Sequence, residues 1–202
     1  MSERNVIDVI IPTCKTLAEV QPQIDEIYRT AGCPVRVIAT CQPICAAKNR
    51  NLGLDASESD PVFMVDDDCS KFPQGWVKDM TEAIMARPNC VMLSARLMKP
   101  NGQYGFMMGC RDRGETGVVV SAERRLCTAC IALRRSPMRF DEQFQGSGFE
   151  DNDASYQLWL MFPDCEFCVI LDIRVTHLNE MKRQLEFWPQ NKRYIIQKWG
   201  HT

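Results

Sequence analysis

No stretch of the sequence approaches the ~20 consecutive apolar residues that a membrane-spanning helix needs, so no membrane span is expected. The first five residues lack the basic-then-apolar pattern of a secretory leader. There is no surplus of charge: 24 Lys and Arg stand against 26 Asp and Glu, a formal net charge of −2. That balance excludes a globally basic nucleic-acid surface and leaves room for a local basic patch only. Internal repeats, low-complexity tracts and clear linkers are absent as well. What is there, 202 residues with 45% apolar side chains, can fill one core and excludes disorder as the dominant state. A single domain over residues 1–202 is expected.

Cysteine, by contrast, is abundant. Eleven is an odd number in a chain without an export signal, and many lie in apolar stretches, such as Cys90 before Val-Met-Leu. Free thiols acting as small hydrophobes in a reducing cytoplasm fit better than a disulfide framework. Two C-x-x-C pairs, Cys127 with Cys130 and Cys165 with Cys168, raise the alternative of a zinc-binding module. The 34 residues between the pairs exceed the usual ~15–20. Both pairs also sit in strand-like runs, where residues three apart face opposite sides.

Strand-like and helix-like segments alternate through the first half. Residues 6–11, 34–40, 61–65 and 91–97 read as buried strands; 17–30, 44–56 and 73–87 carry apolar residues at helical spacing. Pro22 predicts a late or broken start to the first helix. This order predicts a Rossmann-like α/β fold, an open and mostly parallel sheet with flanking helices and right-handed crossovers. Ligands of such sheets bind beyond the carboxyl ends of the strands, where Thr13, Thr40 and the triplet Asp66-Asp67-Asp68 fall. Residues 100–125 are rich in Gly and Arg with short strand-like pieces at 106–108 and 118–120, and read as a hairpin or irregular β excursion. Further strands are expected at 126–133 and 165–175, a helix at 150–162, and a terminal helix at 185–199 interrupted by Pro189.

The triplet is the most informative stretch. On extended backbone, Asp66 and Asp68 point the same way and Asp67 points aside. Two convergent carboxylates repel unless a cation or donors sit between them. Mg2+ or Mn2+ takes oxygen ligands and bridges to substrate phosphates. A solvated acidic loop is the ordinary explanation of an isolated Asp-x-Asp. The buried strand before it moves the balance toward metal and phosphate.

Six segments in register resemble a glycosyltransferase of the A-type fold, closest to the large family 2. They are Val9-Ile-Ile-Pro-Thr13, Ala46-Ala-Lys-Asn-Arg-Asn-Leu-Gly53, Val62-Phe-Met-Val-Asp-Asp-Asp68, Arg139-Phe-Asp-Glu142 followed by Gly148-Phe-Glu-Asp151 and Asp153, Thr176-His177, and Asn191-Lys-Arg-Tyr with Lys198-Trp-Gly200. The resemblance implies a nucleotide-sugar-binding half at 1–99 and an acceptor-side half with the C-terminal helix at 100–202. It implies that Asp66 meets the ribose or metal, that Asp68 binds Mn2+ or Mg2+, and that His177 completes the metal site. Thr13 would touch the nucleoside. Arg50 would reach the nucleotide or phosphates through its planar fork, and Lys182 or Arg183 would clamp the diphosphate. UDP-hexose is the favoured donor. The family often has an acid after the second strand that grips the base, whereas this chain reads Ala39-Thr40-Cys41-Gln42.

An inverting transfer needs one carboxylate near the acceptor hydroxyl. Asp151 is the first candidate, with Glu150 and Asp153 competing, although a helix start favours acids without any catalysis. Nucleotidyl transfer on a related sheet also uses paired Asp and a divalent ion, but gives no role to Glu150-Asp151 or His177. The acceptor stays open between a soluble glycan and a hydroxymethylated base in DNA, as phage-type relatives modify. Seven arginines between 111 and 139 give the middle region a basic bias that could track phosphates.

Overall fold

A computed structural model describes residues 6–105, 116–178 and 184–201. The strands are β1 (Ile7–Thr13), β2 (Val35–Cys41), β3 (Val62–Val65), β4 (Cys69–Ser70), β5 (Cys90–Met98), β6 (Val118–Val120), β7 (Cys130–Leu133) and β8 (Glu166–His177). The helices are α1 (Leu17–Thr30), α2 (Ala46–Ala56), α3 (Trp76–Met85), α4 (Glu150–Met161) and α5 (Gln184–Trp199). The strands form one eight-stranded sheet in the order β2-β1-β3-β7-β5-β8-β4, with β6 paired to β8. This is the α/β class that the alternating pattern predicts. Five strands, β1, β2, β3, β5 and β8, run in one direction. Parallel pairing does not run on from β3 to β5, because β7 enters between them antiparallel to both. All four of its residues are buried, so it brings apolar side chains to both faces at the centre of the sheet.

Alternation along the strands makes two cores. Val9 and Ile11 of β1 face α1 and α3, joining Val20, Ile24, Ile27, Trp76 and Met80. Ile10, between them, faces α2 and α4, joining Ala47, Leu54, Ala154 and Leu158. The period-two side-chain arrangement of a strand thus feeds both layers. Gly53 sets the distance on the α2 side: a Cβ there would lie 2.2 Å from Ile10 Cγ2. No larger residue allows α2 to pack so closely on β1.

Several boundaries differ from expectation. α1 starts at Leu17 without delay, because Thr16 and Glu19 form a reciprocal capping box ahead of Pro22. The ring of Pro22 faces solvent, so its missing donor is tolerated. α5 likewise runs through Pro189. β4 was not anticipated; its two residues pair with Thr176 and His177 at the end of β8. β7 begins at Cys130 rather than 126. The expected strand at 106–108 lies outside the described residues. Among the described residues, no helix is long and apolar enough to cross a membrane.

Candidate active site

The triplet sits in a turn clamped on every side. β3 ends at Val65, and Cys69 N–H donates to Asp66 O at 3.0 Å to close the turn. Asp66 N–H donates to Ala129 O at 2.7 Å, and Leu178 N–H to Asp68 O at 3.2 Å. Gln23, reaching from α1, donates to Asp66 O at 2.8 Å and to Cys69 O at 3.0 Å. These bonds fix the backbone, so three adjacent carboxylates take three separate directions.

Asp66 accepts from Arg50 Nη2 at 2.9 Å. Asp67 turns toward β1, where it accepts from the Thr13 hydroxyl and lies 3.2 Å from Lys15 Nζ. Asp68 Oδ1 lies 3.1 Å from His177 Nε2, brought there by the β4–β8 pairing. Thr13 is therefore committed to Asp67, and its own carbonyl accepts from Asn49 Nδ2 at 3.1 Å. Asn49 Oδ1 is buried and meets no donor among the described residues.

Arg50 lies under this floor, 4% exposed. Its second Nη donates to Glu150 Oε1 at 2.7 Å. The planar fork is thus divided between Asp66 and Glu150, so Arg50 joins two carboxylates instead of offering a free fork to phosphates. Glu150 also accepts from Gly148 N–H, and α4 begins there after Phe149, whose φ of +73° is left-handed. Asp151 follows, half-buried, on the wall of a cavity of about 300 Å3 that also touches Thr13, Asp66, Asp68 and His177.

Asp153, the third acid of that turn, faces elsewhere. It is fully buried and holds Lys198 Nζ, Trp199 Nε1 and Gln157 Nε2, each at 2.7 Å. It anchors α5, and the competition for the base narrows to Glu150 and Asp151. Asp141 does the same from the other side, accepting from Tyr194 and Lys198 at 2.7 Å each. Asn191 of α5, also buried, donates to Gln145 O at 2.8 Å and Gly148 O at 3.1 Å. The C-terminal helix therefore braces the glycine loop beside Glu150. Lys182 and Arg183 lie outside the described residues.

Burial raises the Asp66 carboxyl, and the Asp68 charge adds to this; the attraction of Arg50 and His177 only partly offsets them. Burial also pushes Asp68 upward, but the His177 hydrogen bond, the His177 charge and the Lys15 ammonium outweigh it and leave Asp68 below the usual carboxylate range. His177 is held up by Asp68 against its own burial. Asp151 is pushed up to about 7, first by burial and then by the Glu150 charge. Burial lifts the Cys69 thiol well above its ordinary value.

The donor set suits a divalent cation. Asp68 and His177 present carboxylate oxygen and imidazole nitrogen on partly exposed side chains, 19% and 13% accessible, at the cavity wall. Carboxylate oxygen suits Mg2+ and Mn2+, and imidazole nitrogen suits the later first-row ions. The four C-x-x-C thiols do not form a zinc centre. Cys130 is on β7 and Cys168 on β8, with β5 between them, and the Cys165 thiol donates toward Leu158 O. Among the described residues, the cluster of three with metal-ligating geometry is Asp68, Cys69 and His177. Three arginines of the basic middle region turn to local partners, and Arg111 and Arg113 lie outside the described residues. Arg134 and Arg135 donate to Ile84 O and Ser57 O, and Arg139 to Asp55. Arg134 and Arg135 follow the end of β7 that pairs with the start of β3, opposite the triplet.

Sequence reasoning passed over Lys15, Asn49 and Gln23. Lys15 carried a signal, being the first cation after a strand end. Gln23 carried a weaker one, a polar residue beside the buried Val20, Ile24 and Ile27 positions of α1.

Neither a protein-family model nor a curated protein matches the sequence. Solved structures do. GalNAc-T7, crystallised with UDP, GalNAc and Mn2+, superposes with a TM-score of 0.64 at 12% identity over 89% of this chain and 44% of its own. TarS of S. aureus, residues 1–349, gives a TM-score of 0.64 at 15% identity over 95% of this chain and 66% of its own. The same TarS segment in complex with UDP-GlcNAc gives 0.63 at 16% identity. The fold is thus that of the glycosyltransferase A type. The chain spans less than half of GalNAc-T7 and just under two thirds of that TarS segment.

Proposed function

We propose that this chain is a metal-dependent glycosyltransferase that moves a hexose from a nucleoside diphosphate donor, with UDP favoured, to an acceptor hydroxyl with inversion. One observation carries the reading. The Asp68–His177 pair and Asp151 line one cavity, so a carboxylate–imidazole pair of metal-ligand chemistry and a carboxylate with a raised pKa share a chamber. Two of the similar structures hold UDP or UDP-GlcNAc.

Asp68 and His177 would hold Mn2+ or Mg2+, with Asp66 at its side. The ion supplies Lewis-acid neutralisation of the charge that builds on the departing diphosphate. Lys15, 34% exposed at the same wall, adds a second positive charge. Thr13 and Asn49 shape the end of β1 where the nucleoside lies. Arg50 positions Asp66 and Glu150. Asp151 takes the proton of the acceptor hydroxyl as the new C–O bond forms and the sugar–phosphate bond breaks. A carboxyl with a pKa of about 7 is suited to that task near neutral pH.

A donor panel with Mn2+, read as nucleoside diphosphate release, tests this. Soluble glycans, hydroxymethylated DNA and water serve as acceptors. Metal-dependent diphosphate release with one donor, and a β-linked product from an α-linked donor, is the expected result. Release of pyrophosphate with transfer of the nucleotide, or a retained configuration, overturns it.

A further inference from the structure

The metal-ligating cluster holds a donor that the proposed function leaves unused. Cys69 and His177 are direct partners in the antiparallel pairing of β4 with β8. Direct partners in such a pair leave the sheet on the same face with their Cβ atoms close. Asp68 already touches His177, and one ligand atom from each of Asp68, Cys69 and His177 lies within 4.8 Å of the others.

We propose that Asp68, Cys69 and His177 form a three-donor O, S, N centre that takes a thiolate-preferring divalent ion, Zn2+ or Co2+, over Mg2+. The proposal rests on the same ion site as the proposed function and changes which ion that site prefers. Sulfur and imidazole together select Zn2+ and its neighbours, whereas Mg2+ wants oxygen alone. Turning the thiol toward the ion breaks one hydrogen bond. The thiol now donates to Ala129 O at 3.3 Å, and that carbonyl keeps the Asp66 N–H at 2.7 Å when the thiol leaves. No buried acceptor is stranded by the rotation. The thiol proton passes to solvent as the sulfur–metal bond forms.

Cobalt reports the bond directly, because a thiolate ligand adds a sulfur-to-metal charge-transfer band to its spectrum. Co2+ titrated into the wild-type chain should produce that band, and Zn2+ should abolish it by displacement. Cys69→Ala and His177→Ala should each remove it. Cys69→Ala should weaken Zn2+ binding at least tenfold while Mg2+ binding is unchanged. Should Cys69→Ala fail to fold, zinc X-ray absorption on the wild-type chain decides: one sulfur at about 2.3 Å, lost in His177→Ala, supports the centre. A band that persists in Cys69→Ala, or a zinc shell of nitrogen and oxygen only, overturns the inference. Mn2+ binding that His177→Ala abolishes would still leave the proposed function standing in that case. Loss of all metal binding in the wild-type chain would sink both.

Discussion

Arg50 and Glu150 lie 100 positions apart and meet at 2.7 Å beneath the cavity floor. Through its other nitrogen Arg50 also holds Asp66 at 2.9 Å. One buried cation therefore ties the β3 end, where the ion pair sits, to the start of α4, where Asp151 sits. It is a buried ionic link between the two halves of the chain at the site.

Removing that cation leaves two carboxylates without their partner. Breaking a buried pair from one side costs about 3–5 kcal/mol. For a chain of this size that is a fall in melting temperature of roughly 6–20 °C. Arg50→Met should show it in a thermal melt, and Arg50→Lys, which keeps the charge but not the fork, should fall between. A melt within 2 °C of wild type, on the scale of roughly 0.5–1 kcal/mol, would mean that the bridge contributes little.

The sequence carried the sheet's first half well, because Ile7–Thr13 and Val62–Val65 are short buried runs with polar ends. It also marked the triplet, since an apolar strand ending in three acids is locally unusual. β4 was illegible: two residues have no periodicity, and their partner strand lies at the far end of the chain. The insertion of β7 between β3 and β5 is likewise a long-range pairing that local pattern does not encode. Glu150, Asp151 and Asp153 look alike in sequence because any acid suits a helix start. Only packing separates them: Asp153 faces Lys198 and Trp199, Glu150 faces Arg50, and Asp151 faces the cavity. The two carboxylate partners of Arg50 are illegible for the same reason, since they come from distant segments.

Gly53→Ala tests the packing that positions α2. Its Cβ would press against Ile10 Cγ2 at 2.2 Å, and overpacking of this kind costs about 1–3 kcal/mol. Because Asn49 and Arg50 ride on the same helix, turnover should fall along with the melting temperature. Ile10→Ala added to Gly53→Ala should restore part of both losses, which a double-mutant cycle would register as favourable coupling. Strict additivity would show that the two side chains do not meet.

Asp68→Asn removes one charged donor and leaves the turn intact, since the turn is held by backbone bonds and Gln23. The variant should melt near the wild-type temperature, lose Mn2+-dependent nucleotide binding in calorimetry and lose transfer by at least a hundredfold. Undiminished turnover in chelator would exclude the ion from the reaction.

Asp151 gives the sharpest test, because its protonation and its substitution predict different things. Burial and the neighbouring Glu150 charge push its pKa up to about 7. A general base works only when deprotonated, so kcat should be low at pH 5.5, rise through about 7 and level off above 8. Asp151→Asn should abolish that rise and lower kcat by about 10²–10⁴-fold. Nucleotide affinity should stay nearly unchanged, because the lost interaction acts in the transition state. Glu150→Gln makes the control. It removes the charge that helps raise the Asp151 pKa, so the inflection should move to lower pH while the rise persists. An inflection that stays in Asp151→Asn and vanishes in Glu150→Gln would transfer the role to Glu150.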